Sequence, residues 1–269
     1  ISVDEVHMEL DAYCKYALVI QDFHTGDPID LLRSRRTSVT EPYFAAIPKE
    51  ERNGVKYLIS DMYNPYIAYV DKYFPNAVSV VDSFHVIQWI TRSIDNYIRA
   101  LLKEYRQRDR ERQEKLSEER GYDVSLPLSD EVYLLQKYRW LVLSNQSNLH
   151  YHTEPRMDSH FHRLMNTYDY EDALFRIDSK LKEYRDLKEK YVFFNEQNAG
   201  NPIAATKELE TLIILYRDSK YQIFREFASL LEKFKTPIIN SFIMVEKIGS
   251  GGIYTSRLSN GPIESINRK

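Results

Sequence analysis

Five short segments of strand character lie within the first 81 residues, and their order restricts the available folds more than any other feature. Apolar and β-branched residues mark strands at 1–3, 13–21, 28–34, 55–60 and 77–81, with a turn at 24–27. Helical stretches at 41–52 and at 65–73, the second opened by Pro65, separate the last three strands. The first three strands are therefore expected to run antiparallel through tight connections. The last two, each reached through a helix, are expected to lie parallel to their neighbours.

The remainder reads as mainly helical. From 83 to 118 the residues Val86, Ile87, Ile90, Ile94, Ile98, Leu101 and Leu102 recur at helical spacing among charged positions, which predicts one long amphipathic helix. Further helices are expected at 131–144, 171–195 and 204–234, with loops at 121–128, 150–158 and 198–202. The pattern is that of an α/β protein with a ribonuclease-H-like mixed five-stranded sheet and a long, mainly helical insertion. Residues 1–90 would form the first part of the core, 91–245 the insertion and core-flanking helices, and 246–269 the return to the core.

Three carboxylates fit this frame. Asp4 follows the first strand and Asp61 follows the strand at 55–60; neighbouring parallel strands would bring both to one edge of the sheet. Glu264 stands in the opening turns of a C-terminal helix that Asn260 and Gly261 can cap and Pro262 can start. A glutamate there also suits the helix dipole without any further role. Converging carboxylates supply the oxygen donors that hard cations such as magnesium require, and two such ions can serve an in-line phosphoryl displacement. Glu5, next along the strand from Asp4, should point to the opposite face.

The segments Ser2-Val-Asp-Glu-Val-His7, Ser60-Asp-Met-Tyr-Asn-Pro-Tyr66, Phe74-Pro-Asn-Ala77, Val81-Asp-Ser-Phe-His-Val-Ile-Gln88, Tyr138-Arg-Trp-Leu-Val-Leu-Ser144 and Ser259-Asn-Gly-Pro-Ile-Glu264 resemble, in this order, signature blocks of bacterial insertion-sequence transposases of the IS-L-three family. These are DDE transposases. The resemblance implies a catalytic triad at Asp4, Asp61 and Glu264 that holds Mg2+ or Mn2+ and performs DNA strand cleavage and strand transfer without a covalent protein–DNA intermediate. It also implies DNA as partner, both transposon ends and target, and a homo-oligomer assembled on DNA in the bacterial cytoplasm at the nucleoid. Family members carry an N-terminal zinc-binding segment and helix-turn-helix that are not among these six blocks, so the sequence looks like an excised catalytic core.

Several other residues each carry two readings. Asp82 and His85 form an Asp-x-x-His pair at a strand-to-helix junction, where the aspartate could simply cap the helix and the histidine simply pack. The resemblance implies a supporting role for both, and for Asn260, toward DNA or the site. Trp140 reads either as a core residue of the insertion or, with Arg139, as a stacking contact for a base exposed at a cleaved end. His150, His152, His160 and His162 lack zinc-site spacing and read as a solvated loop. The run from Tyr105 to Lys115 mixes charge signs and reads as a solvated, ion-paired face, with DNA-backbone contact as the alternative.

Composition sets bounds. Thirty-seven Lys and Arg against 40 Asp and Glu give a formal charge of −3, unusual for a domain whose affinity rests on phosphate contacts. The single cysteine, Cys14, allows no internal disulfide and reads as a small apolar strand residue. No apolar run approaches the roughly 20 residues of a membrane span. Two other functions share much of this pattern: a ribonuclease-H-like nuclease that only hydrolyses, and a non-catalytic helical interaction protein.

Overall fold

The computed structural model describes residues 1–8, 15–249 and 251–259. Its chain divides into two compact units, one of Ile1–Gln88 with the chain from Phe194 onwards, the other of Trp89–Phe193.

The first unit is built on a five-stranded sheet of β1 (Ser2–His7), β2 (Tyr16–Gln21), β3 (Pro28–Leu32), β4 (Tyr57–Ser60) and β5 (Val78–Val81), in the order β3-β2-β1-β4-β5. Pairings β1–β2 and β2–β3 are antiparallel, whereas β1–β4 and β4–β5 are parallel, as the helical crossovers require. Strand β2, a nearly continuous apolar run, is buried from Ala17 through Gln21. Strand β3 lies at the edge and exposes Ile29 and Leu31.

Two helices, α1 (Thr37–Ala46) and α2 (Lys49–Gly54), stand where one was expected over 41–52. Ile47 and Pro48 are extended between them, because a proline disfavours helical geometry in the residue before it. Helix α3 (Asn64–Tyr73) presents Tyr66, Tyr69, Val70 and Tyr73 on one stripe. These pack with Phe44, Val3, Leu18, Ile20 and Leu58 to fill one face of the sheet. By the alternation of side chains along a strand, Ile59 and Val80 turn to the other face, where Phe23 and Leu258 join them.

Helix α4 (Ser83–Arg120) starts in the first unit and runs on into the second. Its buried stripe is Val86, Ile90, Ile94, Ile98 and Leu102. The second unit adds α5 (Asp130–Lys137), α6 (Trp140–Leu143), the hairpin β6 (Arg156–Asp158) and β7 (Arg163–Met165), α7 (Thr167–Ile177) and most of α8 (Lys180–Gln197). The helices expected at 131–144 and 171–195 are thus each broken in two. At the second break Asp178 is extended and its carboxylate accepts the amide of Lys180 at 2.9 Å, so a side chain replaces the helical ladder. Lys188, fully buried, crosses to the end of α6 and donates to the carbonyls of Leu143 and Ser144 at 2.9 and 2.7 Å.

The loop expected at 150–158 contains β6. Asp158 accepts hydrogen bonds from Tyr133 and Tyr170 at 2.7 Å and from the amides of His160 and Phe161, which holds its carboxyl well below the usual range. His160 stacks on Tyr133 and meets Asp130 at 2.8 Å, so it is packed rather than solvated.

The first unit resumes with α9 (Pro202–Arg217), α10 (Gln222–Lys233), α11 (Lys235–Asn240) and a hairpin, β8 (Met244–Gly249) and β9 (Gly252–Arg257). The stretch expected as one helix over 204–234 breaks at 218–221. Asn240 Nδ2 donates to Ser79 O at 2.8 Å and fastens α11 to β5. At the end of β9 the Arg257 guanidinium donates to the carbonyls of Ser241 and Asn195 and to Ser241 Oγ, with Phe242 under its plane at 3.8 Å. Leu258, wholly buried, follows directly.

Candidate active site

The strand registers alone align the acids. In the parallel pair β1–β4, Ser2 lies opposite Ile59, an offset of 57 (59 − 2), which brings Asp4 level with Asp61 (61 − 4 = 57). In the pair β4–β5, Ser60 lies opposite Val81, an offset of 21 (81 − 60), which brings Asp61 level with Asp82 (82 − 61 = 21). The amide of Asp82 donates to Ser60 O at 3.0 Å and continues that ladder past the strand end. Asp4, Asp61 and Asp82 therefore form one row across three adjacent strands, at roughly 5 Å per step. Asp4 lies within β1, which runs on to His7, and not past its end as the sequence suggested. The antiparallel pairing with β2 carries the strand further, through Asp4↔Val19 to His7↔Tyr16.

The electrostatics match the row. Burial pushes the Asp4 carboxyl above the usual aspartate range; the Glu5 amide, at 2.8 Å, and a charged His85 pull it down, while Asp61 and Asp82 push it further up. Burial likewise raises Asp61, against the pull of His85, the Tyr63 amide at 3.0 Å and Arg35. Asp82 is buried at 2% exposure, and its carboxylate accepts the Phe84 amide at 3.2 Å in the first turn of α4, so it does act as a cap. His85 Nε2 is buried without a hydrogen-bond partner among the described residues. His85 acts electrostatically on both raised carboxyls, which groups it with Asp4 and Asp61.

Glu5 has other partners: it meets Arg35 at 2.5 Å and accepts from Tyr66 at 3.2 Å, on the side of the sheet where α3 packs. Arg35 is a neighbour of the row that strand and helix patterning did not single out. Its guanidinium lies over the rings of Tyr16 and Tyr63 and reaches Asp61 electrostatically. The run Arg33-Ser-Arg-Arg36 just past β3 is a signal that could have found it.

Glu264, Asn260 and Cys14 lie outside the described residues. Arg139 and Trp140 belong to the second unit; Arg139 Nε stands 3.5 Å from Asp95, and Trp140 is 39% exposed, which is not how a core tryptophan sits. Among the described residues no group of three or more His, Cys, Asp or Glu is placed to hold a metal ion. Two carboxylates from one sheet edge can bind a cation only with further donors, from the protein, water or substrate oxygens.

A model of a transposase family, the DDE type of the IS-L-three group, matches residues 1–269. The chain belongs to that family. No curated protein and no solved structure gives a match. Transposases are DNA-processing enzymes that act in transposition and recombination, so DNA is the partner this membership implies. No helix among the described residues of the transposase is long and apolar enough to cross a membrane.

Proposed function

We propose that this chain is the catalytic core of the transposase, cutting DNA strands and joining the freed ends to target DNA with the help of divalent metal, Mg2+ or Mn2+. Asp4, Asp61 and Glu264 are its catalytic carboxylates. The observation that carries the reading is the register: two aspartates on adjacent parallel strands stand at one level, with carboxyls that burial raises above the usual range. The sheet order β3-β2-β1-β4-β5, antiparallel then parallel, supports a ribonuclease-H-like core.

Asp4 and Asp61 are hard oxygen donors whose mutual repulsion a cation relieves, and Glu264 is the candidate for the further donor. Leu258 is buried on the sheet face occupied by Ile59 and Val80, and Glu264 follows it by six positions in the sequence. Divalent ions held by these carboxylates would supply Lewis acidity to an attacking hydroxyl and to the leaving oxygen at phosphorus. The protein's own groups set this up. Asp82 fixes the start of α4 and with it His85, which faces Asp4 and Asp61; Arg35 holds Glu5 away from the row and tempers the charge of Asp61. The helical unit, Arg139 and Trp140 included, supports DNA, and assembly on DNA is as a homo-oligomer.

The experiment offers the full-length protein a pre-cut transposon end bearing a 3′-hydroxyl together with target duplex and divalent metal. Covalently joined product is expected. Cleavage of uncut ends without any joining would make the protein a hydrolase of the same fold.

A further inference from the structure

We propose that Lys103, Arg106 and Arg110 on α4 form a track that grips the phosphate backbone of duplex DNA, with Arg99 and Arg139 at its side. The proposal rests on the transposase reading above and assigns the DNA a seat on the helical unit.

Successive residues of an α-helix turn by about 100°. Positions 99, 103, 106 and 110 therefore share one arc about 60° wide, and all four are basic. Within this row the neighbours at i,i+3 and i,i+4 are of like charge, which costs a helix about 0.2–0.5 kcal/mol per pair, and of the opposite charges at such spacing from Arg106 and Arg110, Asp109 and Glu114, Asp109 is taken by Ser129. The ordinary solvated face is not built this way. Elsewhere on the same helix the pairing rule is obeyed: Arg108 meets Glu104 at 2.5 Å and Arg99 meets Asp95 at 2.6 Å. Lys103, Arg106 and Arg110 are exposed, and none has a hydrogen-bond or ion-pair partner among the described residues.

These side chains line a concavity of about 1090 Å³, walled by α4 and by Gln136 and Arg139. Six basic side chains line it against two acidic ones, Glu104 and Glu111. Glu104 is taken by Arg108, and Glu111 accepts from Gln107 at 2.9 Å. A chain of formal charge −3 thus gathers uncompensated positive charge in one groove. From residue 99 to 110 the helix rises about 16 Å, close to the axial rise of five nucleotides along one DNA strand. Charge sign, row length and forked guanidinium donors fit a phosphate backbone, and they carry no base-reading geometry.

The test measures binding of the full chain to a duplex of arbitrary sequence by fluorescence anisotropy across monovalent salt. Three lost phosphate contacts should lower the slope of log Kobs against log [salt] by about 2.7 in the Lys103→Gln/Arg106→Gln/Arg110→Gln protein. Between about 50 and 200 mM salt the wild type should then lose roughly 40-fold more affinity than the variant. Lys115→Gln/Lys190→Gln, which removes two charges outside that groove, should keep the wild-type slope. The triple variant should melt no lower than wild type, since it relieves like-charge neighbours. A wild-type slope in the triple variant, with end joining intact in the wild type, overturns the track and leaves the transposase reading standing. A flattened slope in the triple variant of a protein that never joins ends supports the track and sinks the catalytic reading.

Discussion

Replacing Asp61 with asparagine removes one charge from the carboxylate row and keeps the rest of the local structure, because the amide oxygen can still accept the Tyr63 N–H. Asp61 and Asp4 stand one strand spacing apart, roughly 5 Å. Two like charges at that distance repel by about 3 kcal/mol at an effective dielectric constant near 20 and by about 0.8 kcal/mol in water. His85, when protonated, Arg35 and partial solvent access offset part of this, which leaves a relief of about 1–2 kcal/mol. For chains near this size each kcal/mol shifts the melting temperature by about 2–4 °C. In chelator at neutral pH, Asp61→Asn should therefore melt roughly 2–8 °C above wild type. Manganese added at constant ionic strength should reverse the order. Wild type gains up to about 2.7 kcal/mol at a hundredfold excess over Kd, and the variant gains less because a donor is gone. The assay is a differential thermal melt of both proteins with and without metal, alone and with DNA. A variant that melts below wild type in chelator, or equal manganese shifts in the two proteins even with DNA, rules out a shared metal site at this row.

Three other outcomes follow from particular contacts. Asp4 and Asp61 both have carboxyls raised above the ordinary 3.8, so the stability tied to their protons is complete below that value and fades as pH rises through the raised ones. The melting advantage of Asp61→Asn should therefore shrink as pH falls from about 7 toward 4, and an advantage that holds or grows would contradict the burial of these groups. Arg257→Met strips donors from the Ser241 and Asn195 carbonyls and should cost about 2–4 kcal/mol by urea titration; a loss under about 0.5 kcal/mol would mean that this clasp on β9 is idle. Trp140→Ala, at a site 39% exposed, should cost well under the roughly 3–5 kcal/mol of an emptied core site while impairing processing of the cleaved end, and a cost in that full range would return the residue to the core.

The strand order was legible in the sequence because each strand announces itself through a short apolar run closed by turn residues, and the parallel pairs follow from the helices between them. Broken helices were not legible. Residues 171–195 keep helical periodicity on both sides of Asp178, and only the side-chain bond from Asp178 to the Lys180 amide shows why the helix stops there. The hairpins β6–β7 and β8–β9 are three and six residues per strand, too short or too mixed for a period-2 signal. In the candidate site, Asp4 and Asp61 were singled out from their strands, but their alignment needed the register. The placement of Arg35, and a His85 Nε2 without a partner among the described residues, depend on which side chains meet across the sheet, a tertiary fact that spacing along one chain does not encode.

Metal contact by Asp4 and Asp61 during catalysis can be tested by changing the donor atom. Cysteine at either position exchanges a hard oxygen donor for a softer sulfur, which manganese accepts more readily than magnesium. The deciding measurement is strand joining by full-length Asp4→Cys and Asp61→Cys, each assayed with magnesium and with manganese. Direct ligation predicts joining lost with magnesium and partly restored with manganese, at both positions, whereas an alanine at the same position stays inactive with either ion. Joining near the wild-type rate in magnesium for either cysteine variant would contradict it.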